Sequence, residues 1–175
     1  HNSKIRLCVL EGLEEAMLQK LKDTTLLLPR EIAQSYFLFG GAQYEKGKYK
    51  EASKNLENAL NAYKKIEDTA TESDIALVLY YLAESLRYDS QYKASLQRVK
   101  ESMEYCKGKD PLLLAKCYET LTCLERQLSN IGESIPSHKE ILKMKKNAKA
   151  DALELAYTYH NLARNTSFSE DPNLA

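Results

Sequence analysis

The sequence contains few of the residues that form tight turns: its 175 residues include six glycines, four prolines and no tryptophan. Because sheet proteins need frequent turns that contain glycine or proline, this shortage argues against an all-β fold. Alanine, leucine, glutamate and lysine, which favour helices, are abundant instead. The composition therefore predicts an all-α protein, and the length fits a single domain over residues 1–175.

An excess of charge of either sign is also absent, since 25 basic residues balance 25 acidic ones. Proteins that bind nucleic acid through its phosphates carry a basic excess, so we expect no direct nucleic-acid binding by this segment. The four cysteines include no C-x-x-C pair and no histidine at zinc-ligand spacing, which predicts neither a zinc site nor a disulfide framework. The sequence has no signal-like leader and no apolar run of membrane-spanning length, so we expect a cytoplasmic protein without membrane contact.

Residues suited to catalysis are scarce. The three histidines, His1, His138 and His160, fall on different predicted elements and do not form one site. The pair Gly40-Gly41 lies inside a predicted helix, so it is not a phosphate-binding loop. We therefore expect no enzymatic activity, no cofactor and no metal.

The sequence repeats a pair of amphipathic helices, and the clearest copy spans residues 33–65. Gly40 and Ala52 predict a close approach of its two helices, and Gly47 predicts a left-handed residue that ends the first. In this copy, apolar residues recur at helical spacing around a G-x-Y-x-x-A turn; they are Tyr36, Phe39, Gly40, Ala42, Tyr44, Gly47, Tyr49, Ala52, Leu56, Ala59 and Leu60. This pattern resembles the tetratricopeptide repeat, a helix pair of ~34 residues.

The resemblance implies a right-handed superhelical array of antiparallel helix pairs with about eight helices. Successive copies lie about 40 residues apart, as in long-repeat members of the family. The second helix of repeat 3 is placed around Ile131, Ile135 and Ile141, with Pro136 near its start. The predicted elements are a leading helix at 4–22, repeat 1 at 30–67, repeat 2 at 72–107, repeat 3 at 111–147, the first helix of repeat 4 at 150–167 and a tail at 168–175.

In such an array the first helix of each pair lines a concave face, which the resemblance assigns to partner binding. The predicted partner-binding residues on this face are Phe37, Tyr44, Tyr81, Glu84, Arg87, Lys116, Arg126, Tyr157, His160, Asn161 and Arg164. Tyrosine and arginine give large contact areas and directed hydrogen bonds, and an asparagine amide can pair with a peptide main chain. Two alternatives stay open: the tyrosines pack between repeats, and the arginines form salt bridges with carboxylates of the same face.

A cluster of lysines follows on the second helix of repeat 3. It consists of Lys143, Lys145, Lys146 and Lys149. Because cations suit the C-terminal end of a helix, we interpret the cluster as a solvated helix end in preference to a binding site for an acidic partner.

These features predict a noncatalytic protein-interaction module, with a scaffold or regulatory role, that binds an extended peptide or a helical segment of a partner protein. One alternative is the peptide-sensing receptor domain of a bacterial transcriptional regulator, whose DNA-binding part would precede His1. It draws on the long repeats and on a sequence that does not begin with methionine. Another alternative is a scaffold that forms a homodimer through the exposed terminal repeat, where the predicted helix at 156–165 has no second helix to cover it.

Overall fold

The computed structural model describes residues 28–66, 71–128 and 135–169, together with Ala16 and Gln19. No strand occurs among these residues, which confirms the predicted all-α class. The chain divides into two compact units, the first ending at Tyr105 and the second beginning at Cys106. The described helices are α1 (Pro29–Glu45), α2 (Tyr49–Lys64), α3 (Glu72–Tyr88), α4 (Tyr92–Cys106), α5 (Pro111–Glu125), α6 (His138–Asn147) and α7 (Ala152–Ser169).

The first helix pair packs as its small residues predict. A Cβ on Gly40 would lie 2.8 Å from Leu56 Cγ and 3.2 Å from the carbonyl oxygen of Ala52, so only glycine lets α1 and α2 approach this closely. Gly47 has φ +74°, and its N–H donates to the carbonyl of Tyr44 at 2.9 Å. The predicted close contact and the predicted left-handed turn are both confirmed.

The next two helices are joined to this pair by a continuous apolar core and to each other by buried hydroxyls. Leu56 and Leu60 of α2 pack with Val78 and Leu79 of α3 in one cluster. The Ser95 hydroxyl of α4 donates to the carbonyl of Ala83 in α3 at 2.7 Å. Consecutive helices of the first unit therefore pack against each other, as expected for stacked helix pairs.

The helices of the second unit begin at sequence-encoded caps. The N–H of Leu113 donates to the Asp110 carboxylate at 2.9 Å, and Pro111 occupies the first turn of α5. Helix α6 begins after Ile135, later than the repeat pattern predicts, because Ser137 caps the helix in a capping box with Glu140. Ile135 therefore precedes the helix, as expected for a residue before proline, whereas Ile131 lies outside the described residues.

Two predicted segments fall largely outside the described residues. The leading helix at 4–22 is described only at Ala16 and Gln19, which are helical and exposed. Helix α7 continues to Ser169, past the predicted end at 167, and residues 170–175 lie outside the description. Within the described ranges, no helix combines the length and the apolar character needed to cross a membrane.

Candidate functional site

A groove in the first unit lies between α1 and α3, the first helices of two successive pairs, and has a volume of about 340 Å³. Its lining is mostly apolar, with one carboxylate; the lining residues are Phe37, Leu38, Gly41, Ala42, Glu45, Leu77 and Tyr81. A concave, mostly apolar surface of this size is typical of sites that take up a bulky apolar group.

Gly41 keeps the groove open. A Cβ built on Gly41 would have no other heavy atom within 4 Å, in contrast to its neighbour Gly40. Leu38, one turn earlier on α1, is 45% exposed beside it. The sequence reasoning missed Leu38 as a site residue. The signal was present, since Leu38, Gly41, Ala42 and Glu45 recur at the spacing of one helical face.

An aromatic cluster, formed by Tyr44, Tyr49, Tyr81 and Tyr88, adjoins the groove. The ring of Tyr44 lies 5.7 Å from those of Tyr49 and Tyr81 and 6.0 Å from that of Tyr88. Tyr49 and Tyr88 stack at 4.7 Å, and Tyr81 reaches the groove residue Phe37 at 5.8 Å. These tyrosines pack against one another, which agrees with the alternative that the tyrosines pack between repeats. Tyr81 also lines the groove.

An ion pair on α3 borders this cluster. Arg87 donates from Nε to Glu84 Oε1 at 2.8 Å and from Nη2 to Oε2 at 2.7 Å. The Glu84 carboxylate is buried, and the guanidinium of Arg87 lies 4.1 Å from the centre of the Tyr88 ring. Burial, followed by the charge of Glu84, raises the pKa of Tyr44 well above its ordinary value, so its hydroxyl stays neutral. Arg87 therefore forms a salt bridge with a carboxylate of the same predicted face, which was the alternative to partner binding.

The second unit contains a buried charge network across α5, α6 and α7. Lys145 Nζ lies 2.5 Å from Glu119 Oε2 and 3.0 Å from Glu154 Oε2, and Lys116 Nζ lies 2.5 Å from Glu154 Oε1. The Thr158 hydroxyl donates to Glu119 Oε1 at 2.5 Å. Burial would raise the pKa of Glu154, but the hydrogen bonds from the two lysines outweigh it and lower that pKa.

Lys145 is 0% exposed, so the interpretation of the lysine cluster as a solvated helix end is wrong at this position. Lys145 is satisfied by two carboxylates supplied by other helices, which is how a buried cation is tolerated. Lys143, Lys146 and Lys149 are exposed, as predicted.

The remaining predicted site residues belong to the second unit: Arg126 directly follows α5, and the others lie on α7. Arg126 is exposed and donates to Cys123 Sγ at 3.6 Å. Tyr157 and His160 are exposed, whereas Asn161 is only 6% exposed. The side chain of Arg164 lies outside the described residues.

The structure thus brings the predicted residues together in two local sets. In the first unit, ring contacts join Phe37, Tyr44 and Tyr81, and Glu84 and Arg87 lie beside them. In the second, Lys116 and Tyr157 are linked through the charge network, with Lys145 Nζ 6.0 Å from the Tyr157 ring centre. No group of three or more His, Cys, Asp or Glu side chains in the described part of the chain is arranged to hold a metal ion.

No protein-family model matches the sequence, and no curated protein matches it either.

Proposed function

We propose that this chain is a noncatalytic interaction module that resembles the tetratricopeptide repeats and binds a segment of a partner protein in the groove between α1 and α3. The observation that carries the proposal is the apolar lining of that groove, about 340 Å³ in volume. An apolar side chain of the partner would remove this lining from water, which is the main source of favourable free energy in such contacts.

The groove is held in shape before any partner arrives. Gly40 fixes α1 against α2, and the edge contact of the Phe37 and Tyr81 rings fixes one wall. Tyr81 is held in turn by Tyr44 and Tyr80, at centroid distances of 5.7 and 5.4 Å. A wall that is already ordered loses little conformational entropy on binding, which favours affinity.

The lining also indicates what the partner presents. The exposed Leu38 and the open space above Gly41 fit a bulky aliphatic or aromatic side chain. Glu45, the charged residue of the lining, favours a lysine or arginine next to that side chain. Both an extended peptide and a helix can present such a pair of side chains.

A substitution at Gly41 tests the proposal because it fills the groove without touching the core. A displayed library of random peptides is selected on the full chain, and the affinity of a recovered peptide is measured by fluorescence anisotropy. We expect Gly41→Leu to weaken binding about tenfold or more, which corresponds to ~1.4 kcal/mol. Gly41→Ala is the matched control, since it adds one methyl group and leaves most of the groove open.

Two results would contradict the proposal. If selection on the folded chain recovers no binding peptide, the groove is not a peptide site. If Gly41→Leu and Gly41→Ala bind the recovered peptide equally well, then the peptide binds elsewhere on the chain.

A further inference from the structure

Two thiols lie against each other in the interior of the second unit. Cys106 is the last residue of α4 and the first residue of that unit, and Cys117 lies in the second turn of α5. Their side chains are hydrogen-bonded to each other, and the two residues are 1% and 0% exposed. Both are reduced thiols, as is Cys123 farther along α5. The fold therefore brings together two cysteines that the turn between α4 and α5 separates in the sequence.

This contact places the two sulfur atoms within reach of a covalent bond. A disulfide requires the two β-carbons to lie about 3.5–4.5 Å apart, and thiol side chains that already touch can reach that separation by small rotations. Cys123 lies on the same helix as Cys117 but contacts Arg126 instead, at 3.6 Å between Sγ and Nη2. Among the cysteines that the structure describes, Cys106 and Cys117 are therefore the two that oxidation would join.

The two thiols differ in reactivity. The hydrogen bond with Cys117 lowers the pKa of the Cys106 thiol, and burial and the Asp110 carboxylate oppose this change without cancelling it. Because the thiolate is the reactive form of cysteine, Cys106 is the nucleophile, and Cys117 reacts with the first product. Cys106 also adjoins an exposed turn, residues 107–110, in which Gly108 has φ +76°. Local opening of this turn at the helix end gives a small oxidant access to the covered sulfur.

We propose that Cys106 and Cys117 form a site of reversible oxidation, at which hydrogen peroxide converts the two thiols into a disulfide. The Cys106 thiolate attacks one oxygen of the peroxide, the O–O bond breaks, and the released hydroxide takes up the thiol proton to become water. The Cys117 sulfur then attacks the sulfenic acid at Cys106: the S–S bond forms, the S–O bond breaks, and the hydroxide leaves as water with the Cys117 proton. Two electrons pass from the two thiols to one peroxide molecule. A dithiol reductant restores both thiols by thiol–disulfide exchange.

The disulfide would close residues 106–117 into a covalent loop that contains the turn between α4 and α5. Such a link restricts the unfolded chain more than the folded one, in which the two thiols are already neighbours. We therefore expect the oxidised chain to be the more stable form, and the disulfide to form more readily in the folded chain than in the unfolded one. The inference concerns the second unit and does not depend on the proposed function.

Peptide mapping locates the disulfide. The full chain with Cys123→Ser is treated with hydrogen peroxide, its remaining thiols are blocked with N-ethylmaleimide in urea, and the chain is digested with trypsin. Trypsin places Cys106 in the peptide 101–107 and Cys117 in the peptide 117–126, so the disulfide is detected as a linked pair of these peptides. We expect this pair in most chains, and dithiothreitol should separate it.

Cys117→Ala separates the roles of the two sulfur atoms. Without Cys117 the sulfenic acid at Cys106 persists, and we expect its labelling by dimedone to exceed that of the wild type by about tenfold or more. Cys106→Ala should give neither the linked peptides nor dimedone labelling at Cys117. Far-ultraviolet circular dichroism checks that these variants keep the helical content of the wild type. Equal labelling of Cys106 in the wild type and in Cys117→Ala contradicts the proposed second step.

Equilibration with mixtures of reduced and oxidised glutathione tests whether the fold holds the two thiols together. At a given glutathione mixture, we expect the ratio of disulfide to dithiol for Cys106 and Cys117 to be about tenfold or more higher in the folded chain than in the chain unfolded in urea. Equal ratios in the two states overturn the inference, as does the absence of the linked peptides after peroxide treatment of the folded chain.

Discussion

The two units have interiors of different kinds. In the first unit, α2 and α3 share a core of fully buried apolar side chains such as Leu56, Leu60 and Leu79. In the second unit, the interior includes Lys145, which is 0% exposed and bonded to Glu119. The first unit also buries a charge, Glu84, but its partner Arg87 lies one turn later on the same helix, so that interior depends mainly on shape and apolar area. The second depends in addition on charges that different helices bring together.

The contrast indicates which kind of substitution should destabilise each unit most. An apolar core loses stability in proportion to the area, cavity volume or clash that a substitution creates. A charged interior loses more when one partner is removed, because the other charge stays buried without compensation. We therefore expect the first unit to be sensitive to changes of shape and the second to changes of charge.

The largest effect is expected for Lys145→Met, which breaks the charge network. Met has a similar length but no charge, so Glu119 would remain buried without its cation. We expect the free energy of unfolding to fall by about 3–5 kcal/mol. Urea denaturation followed by circular dichroism measures this loss.

Lys146→Met is the matched control, since Lys146 is the exposed neighbour on α6 and its Nζ lies 5.4 Å from the centre of the Tyr159 ring. We expect it to cost less than about 1 kcal/mol. The double variant Lys145→Met, Glu119→Leu should recover part of the loss, because it removes both buried charges. Equal losses for the two single lysine variants would show that Lys145 is not held as described.

Alkaline pH should weaken the first unit through Tyr63, a core residue that is 1% exposed. Burial, followed by the charge of Asp74, raises the pKa of Tyr63 from 10.0 to about 12. Its contribution to stability is therefore complete below pH 10 and is lost as the pH rises through about 12. A shift of this size corresponds to a loss of about 2–3 kcal/mol.

Urea denaturation between neutral and alkaline pH, compared for wild type and Tyr63→Phe, measures this dependence. The wild type should lose stability more steeply, because Phe has no hydroxyl to ionise. Tyr92→Phe, at a half-buried tyrosine of α4, should follow the wild-type slope. If all three proteins show the same alkaline slope, ionisation of Tyr63 does not limit stability.

The adjacent glycines of α1 allow a test of shape alone. Gly40→Ala places a methyl group 2.8 Å from Leu56 Cγ, and we expect it to cost about 1–3 kcal/mol. Gly41→Ala points into open space and should raise stability by up to about 1 kcal/mol, because alanine favours a helix more than glycine does. Thermal unfolding of both variants measures the difference. Effects of the same sign would mean that the α1–α2 contact is looser than described.

Local rules predicted most of the fold. The Gly47 turn and the Gly40 contact depend on residues close in sequence or on one helix pair, and each occurs as expected. The cap formed by Asp110 and Pro111 is local in the same sense. Pro136 lies near the start of α6 as predicted, but Ile135 precedes the helix, because the capping box of Ser137 and Glu140 sets its first turn. That cap was readable in the sequence, whereas no local pattern fixes how one helix pair lies on the next.

The candidate site was only partly predictable. The resemblance to the tetratricopeptide repeat predicted Phe37 and Tyr81 on one face, and the structure brings them together beside the groove. The burial of Lys145 was not predictable from its own segment, since exposed lysines surround it in the sequence. Its environment depends on Glu119 and Glu154, which come from other helices, and such distant partners leave no periodic signal.

The smallest effect is expected at acidic pH, in the second unit. The pKa of Glu154 is lower in the folded chain than its ordinary value of 4.5, so its contribution to stability is present above pH 4.5 and is lost as the pH falls through the lower value. The Glu154 side chain is 29% exposed, and solvent screening should keep the loss below about 1 kcal/mol. Urea midpoints measured from about pH 7 to pH 3 should fall less steeply for Glu154→Gln than for the wild type. Glu104→Gln, at an exposed glutamate of α4, should match the wild-type slope. A Glu154→Gln curve parallel to the wild type would mean that the lysines do not stabilise this carboxylate, and that the charge network is confined to Lys145 and Glu119.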